Sequence, residues 1–380
     1  MAEQKQRSEK LHALTSLRFF AAAFVVLYHF IWEFFPGISR QSLSGRLIEM
    51  GHVSVSFFFL LSGYILGVVY LKRSGPVARR AFFLARFARV YPLFFLTLVV
   101  DTPFLFSTRV ATYGLKAAVL KTGVSFVGNA TMLQAWILWF RGINNPCWSL
   151  SVETLFYLSF PWIGVALWRL KGARLWLVAV LLYVGGQALV LVTAPHMLVD
   201  YGSMLPLLHL TTFALGILLA RWQSLTQGAG GVTTQISSGT GLAAWTVTMV
   251  SVVCFAAAVY WSPVIPFSSL NDGLLAPVFM GLIWAFSHAR WLPARVLSAK
   301  WLVVLGEASY GVYLIQTPVY HVFERLHWET MAAMFPVYMG TTIALSVLSF
   351  FYFETPVRRW LLKRGETRVK ETMEMASDAQ

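Results

Sequence analysis

A polytopic bundle of transmembrane α-helices, an all-α fold, is what this sequence predicts, and three observations predict it. Of its 380 residues, 57% are hydrophobic and 16% aromatic, while only 12% are charged. That is roughly half the charge a soluble domain carries. The apolar residues gather into ten segments of roughly 17 to 24 residues, the length that crosses a hydrocarbon core. The basic residues then fall mostly on one side of those segments. Such a composition excludes a cytosolic globular enzyme, a disordered chain and a disulfide-stapled secreted domain. The two cysteines, Cys147 and Cys254, stand at no metal or redox spacing, and no metal site is expected.

The segments start near Leu11, His52, Ala88, Trp148, Arg174, Met204, Gly241, Asp272, Trp301 and Met334. The first follows Lys5, Arg7 and Lys10, is too long for a signal-peptide core and precedes no small-residue cleavage site, so it reads as a retained helix. The stretch 110–140 holds Lys116, Lys121, Gly123, Gly128 and Asn129 and reads as amphipathic or re-entrant. The Gly/Ser/Thr-rich run from Gln227 to Gly241 predicts a flexible cytoplasmic loop. No internal repeat points to an inverted-repeat transporter. One transmembrane domain over 1–365 and a cytoplasmic tail over 366–380 are expected.

Ten spans put both termini on one side. With that side cytoplasmic, 22 of the 30 lysines and arginines lie inside and 7 outside, and Arg18 lies within the first helix. Positive charge accumulates on the cytoplasmic side of membrane proteins, so N-in and C-in is the expected orientation. The net charge of +14 is therefore mostly topological, and nucleic acid is not an expected partner.

Ionisable residues inside spans are costly and mark candidate function. Arg18 and His29 are eleven residues apart, about 20° from three full turns, so they share one stripe with a rise of about 16 Å. Taken singly, each has a plain alternative: a snorkelling arginine, or a histidine bonded to a backbone carbonyl. Glu153 lies about one and a half turns into the fourth span, at the depth expected for His29. A carboxylate there would orient the imidazole and favour its protonated form. Asp101 precedes Thr102 and Pro103, which predicts a kink and a local cap. Arg86 and Arg89 share a helix face, and paired guanidinium groups suit phosphate oxygens or lipid headgroups.

These residues stand in six patterns that resemble the integral-membrane acyltransferase-3 family, in that family's order and over nearly the whole chain. Arg18 and His29 match its opening pattern, and Val55 to Tyr64 its second-span signature. Arg86 to Pro92 match an Arg-x-x-Arg followed by Tyr-Pro. Trp148 to Glu153 match Trp-Ser-Leu-x-x-Glu, with Phe156, Tyr157 and Pro161 following. Ser309 to Leu314 and Glu354 to Arg359 match the two closing patterns. One departure is visible: where the family usually has a His, this chain has Gln316, which cannot carry a proton at neutral pH.

The resemblance implies a membrane-bound O-acyltransferase, in the stand-alone form without an extra periplasmic domain, in a bacterial cytoplasmic (inner) membrane. Its donor would be acetyl-CoA or another acyl-CoA, used as a substrate with no permanently bound cofactor. Its acceptor would be a hydroxyl of a cell-surface or lipid-linked glycan of exopolysaccharide or O-antigen type. Membrane lipids and a polysaccharide assembly complex are the further partners it implies. Arg86, Arg89 and Arg18 would then bind the donor. His29 would act as general base with Glu153 as its orienter, or would itself carry the acetyl group. Trp148, Ser149, Tyr310, Tyr313 and Gln316 would position the acceptor. The rival readings are a transporter with an intramembrane proton relay and a non-catalytic scaffold.

Overall fold

The computed structural model describes residues 2–71, 77–193, 196, 204–226, 238–287 and 291–365. The tail 366–380 and most of the run from Gln227, through 237, lie outside the described residues. Among the described residues the chain is built of helices. They are α1 (Ala2–Phe34), α2 (Leu43–Glu49), α3 (Ser54–Leu66), α4 (Arg79–Tyr113), α5 (Leu115–Ala130), α6 (Trp148–Trp168) and α7 (Gly172–Thr193). Then follow α8 (Pro206–Thr226), α9 (Ser238–Trp261), α10 (Phe267–Asn271), α11 (Ala276–Phe286), α12 (Leu292–Leu297), α13 (Lys300–Arg325) and α14 (Phe335–Ser349).

Among the described residues, eight helical stretches are long and apolar enough to cross a membrane: 11–34, 43–71, 79–113, 145–168, 172–193, 241–261, 267–286 and 332–365. They correspond to eight of the ten expected segments. The other two are α8 and α13, which carry His209, Arg221 and Gln223, and Glu307, Gln316 and His321. Both lie inside the bundle: α8 packs on α3, α6 and α7, and α13 on α1, α4 and α14. A helix enclosed by other helices meets little lipid, so it tolerates polar residues that a peripheral helix does not.

Backbone approach sets the centre of the bundle. A Cβ added at Gly63 of α3 would stand 2.0 Å from the Phe213 carbonyl oxygen of α8, and one at Gly216 would stand 2.0 Å from that of Leu60. The two helices thus touch backbone to backbone, the small-residue crossing used within membranes. Gly216→Val should lower the thermal midpoint in detergent, since forcing atoms into a filled contact costs about 1–3 kcal/mol or more. An unchanged midpoint would show that these helices separate easily.

Two local expectations change. Pro103 lies within an unbroken α4, and Asp101 makes no local cap. Its carboxylate accepts instead from the Asn144 backbone N–H at 2.8 Å and pairs with His321 Nδ1 at 2.7 Å. Long-range partners, once available, satisfy a buried carboxylate better than its own turn does. The span expected to begin at Asp272 begins earlier and is interrupted there. Gly273 takes φ +96° between α10 and α11, and Asp272 pairs with His209 at 3.0 Å, both side chains fully buried. The stretch 110–140 first completes α4, then returns as α5 along it, until Ala130 O accepts from Tyr91 Oη at 3.0 Å. Residues 131–147 lead back to α6, with Gln134, Ala135, Asn144 and Cys147 buried and Ile137, Leu138 and Trp139 exposed.

Candidate functional site

A cavity of about 390 Å³ is lined by α1, α3, α4, α6 and α13. Arg18, Arg86 and Arg89 line it, with Glu153, Tyr157 and Glu307 among the facing groups. Arg86 and Arg89 share one face of α4 because they are three residues apart. Arg86 donates from Nη2 to Tyr70 Oη at 3.1 Å, and its Nε is buried with no hydrogen-bond partner among the described residues. A buried N–H aimed at no protein acceptor has hydrogen-bonding capacity left for a ligand.

Glu153 accepts from Tyr157 Oη at 2.8 Å, one turn along α6. Its electrostatic neighbours are Arg18, Arg89 and Arg86. Glu307 of α13 is likewise a charge neighbour of Arg18. Glu153 and Glu307 thus place negative charge near the arginines, which offsets the repulsion among guanidinium groups that face one cavity. The site therefore suits the polar, anionic end of an elongated molecule, with apolar walls from Val55, Phe58 and Leu66 for the rest.

Tyr313, Ser149 and Tyr310 also line the cavity. The Tyr313 hydroxyl donates to Pro146 O at 2.6 Å and accepts from Ser149 Oγ at 2.8 Å. Tyr310 donates to Val90 O at 2.7 Å. Phe58 meets the Tyr313 ring edge-on with centroids 6.4 Å apart. Gln316 links this wall to His29: its Nε2 donates to Tyr313 O at 2.7 Å, and its Oε1 faces His29 Nδ1 at 3.3 Å. With a carbonyl oxygen opposite Nδ1, the neutral ring carries its proton there and leaves the Nε2 lone pair available.

The structure thus brings Arg18, Arg86, Arg89, Glu153, Ser149, Tyr310 and Tyr313 to one cavity. His29 is not among the lining residues, and its orienting partner is Gln316 rather than Glu153. The expectation that Glu153 orients His29 is corrected on that point. Similar depth on two helices does not fix facing, and α13, running along α1, supplies the nearer amide. Trp148 also departs from expectation: its ring packs against Phe59 and His209, with centroids at 6.2 and 5.3 Å, within the helix core. Tyr157, Tyr70 and Glu307 were missed as site residues. Glu307 carried a signal, a carboxylate inside the ninth apolar segment, which is costly unless used. Tyr70 carried none, because its role depends on where Arg86 lands.

A family model described as an acyltransferase domain matches residues 11–351. The chain is 27% identical to acyltransferase MdmB of Streptomyces mycarofaciens, over 94% of both chains. It is 24% identical to the peptidoglycan O-acetyltransferase OatA of Listeria monocytogenes, over 91% of this chain and 56% of that protein. A set of Staphylococcus aureus proteins that carry the name putative O-acetyltransferase is covered to 57% of their length at 24% identity. The chain thus spans little more than half of these longer relatives. No solved structure matches the chain. Together with a bundle of apolar helices around a cavity lined by arginines, the match over most of its length makes this chain a multi-pass membrane acyltransferase that belongs to acyltransferase family 3.

Proposed function

We propose that this enzyme moves an acetyl group from acetyl-CoA, bound from the cytoplasm, to a hydroxyl of a cell-surface or lipid-linked glycan at the outer side of the bacterial inner membrane. The observation that carries this reading is the convergence of Arg18, Arg86 and Arg89 on one cavity. Guanidinium pairs match phosphate oxygens, and the CoA moiety is rich in them. The acyl arm would lie along the apolar wall toward Phe58 and Tyr313, next to which Gln316 holds His29. His29 Nε2 would take the acceptor's hydroxyl proton as that oxygen attacks the acetyl carbonyl carbon. The carbon–sulfur bond breaks, and the proton passes from the imidazolium to the departing thiolate.

Inner-membrane vesicles carrying the enzyme should transfer label from radioactive acetyl-CoA into the glycan fraction. Label that stays with CoA and never reaches a hydroxyl ester would refute the reading. The orientation is checked separately. A reporter fused after Arg359 should be cytoplasmic, and one placed between Arg40 and Arg46 periplasmic, because of the 22 to 7 split of basic residues. The reverse labelling would put the arginine cavity on the side without CoA.

A further inference from the structure

Three histidines pair with carboxylates among the described residues, and they differ in access. His209 and Asp272 are both sealed in the core, with no side-chain exposure. His327 and Glu329 stand 4.0 Å apart on the surface, beyond hydrogen-bond distance. His321 and Asp101 combine a carboxylate that is 1% exposed with a ring that is 24% exposed, at 2.7 Å. The far oxygen of Asp101 accepts from the Asn144 backbone N–H, so the carboxylate cannot turn away. Asn144, at φ +42°, is tied in turn to Leu314 O through Nδ2 at 2.9 Å. Nδ1–H therefore points at Asp101, and in the neutral ring, which is partly exposed, Nε2 is a lone pair with no hydrogen-bond partner among the described residues.

This pair lies at the end of the bundle away from Arg86 and Arg89. Asp101 follows Arg89 on α4 by twelve residues, about 18 Å of rise, and His321 follows Gln316 on α13 by five, about 7.5 Å. Phe104 stacks on the His321 ring with centroids 5.3 Å apart, and Arg325 sits over Phe104 and donates to Ser107 Oγ. A fixed nitrogen acceptor, guanidinium donors and an aromatic face thus share one rim. A neutral polyol satisfies the rim, since each hydroxyl both donates and accepts.

We propose that His321, held by Asp101, is an acceptor-binding residue: its Nε2 takes a hydrogen bond from a non-reacting hydroxyl of the glycan, beyond the sugar whose hydroxyl meets His29. This rests on the acyltransferase reading above and adds a second, outer contact to it. No bond is made or broken there. The subsite sets which stretch of a hydroxylated acceptor stays in place while the group is transferred.

The test uses the full chain in lipid nanodiscs and diethyl pyrocarbonate, with His321 modification read by peptide mass spectrometry. Chitotetraose and maltotetraose serve as polyol probes. One of them should slow modification of His321 by about threefold or more, as mass action requires once the site is mostly occupied. His321→Asn keeps an N–H for Asp101 but lacks the outward nitrogen. It should lower acetyl transfer to the native glycan about tenfold, the worth of one hydrogen bond, with the KM for acetyl-CoA and the thermal midpoint unchanged. A residue that only staples α4 to α13 would leave transfer at the wild-type rate in that variant. That result, or no protection of the wild type by either sugar, overturns the proposal. Protection without any acetyl-CoA-dependent transfer would instead sink the acyltransferase reading and leave a polyol site.

Discussion

His29→Gln is expected to reduce acetyl transfer by about 10²- to 10⁴-fold, the contribution of a positioned general base. Glutamine occupies a similar polar volume and can still bond the Gln316 amide, so packing along α1 and α13 should survive. What it lacks is a nitrogen that takes up a proton. His29→Ala should be as inactive, with normal membrane insertion. Gln316→Leu should be milder, about tenfold, because it removes the partner at 3.3 Å that fixes the ring while leaving the ring itself. The comparison is made as initial rates with radioactive acetyl-CoA, normalised to the amount of inserted protein. If His29→Gln keeps more than about half of the wild-type rate, proton transfer does not pass through that imidazole. Glu153, which lines the cavity beside Tyr157, then becomes the base to examine.

Arg86→Ala and Arg89→Ala should weaken donor use by one to two decades, since a lost charge-assisted contact costs about 1.5–3 kcal/mol. The effect should appear in the KM for acetyl-CoA and not in the dependence on acceptor. Arg86→Lys should recover only part, because an ammonium cannot make the planar two-pronged contact. The structure adds an internal control. Arg86 is held by the Tyr70 hydroxyl and lies over that ring, its guanidinium carbon 5.5 Å from the centroid. Tyr70→Phe keeps the ring and removes the hydrogen bond, so it should raise the donor KM by less than Arg86→Ala does. Donor KM values unchanged in both alanine variants would assign the two arginines to lipid headgroups instead.

The fold class was legible in the chain because transmembrane helices are written as lengths of apolar residues, a property that survives without any knowledge of partners. All ten expected segments correspond to helices, yet α8 and α13 do not meet the length-and-hydropathy standard that the others meet. They were legible as apolar stretches but not as the interior pair, since enclosure by neighbours is a tertiary property. The arginines and Glu153 were legible for the opposite reason: a charge inside an apolar run has no cheap place to go, so it converges on other charges. His321 and Asp272 carried the same signal in the sequence and were not read, and Asp101 was read as a local cap.

By itself, the sequence determined the membrane-spanning helical class and singled out Arg18, Arg86, Arg89 and Glu153, which line the cavity from α1, α4 and α6. These depend on composition and on helical period, which are local. Only the tertiary structure decided which of those residues touch. It gave His29 to Gln316 instead of Glu153, turned Trp148 into the core, joined Asp101 to His321 across α4 and α13, and set Gly63 against Gly216. Depth along a helix can be counted from its residues. The rotation and neighbour of each helix are fixed only when side chains from several helices compete for the same space, and that competition is not written in any one segment.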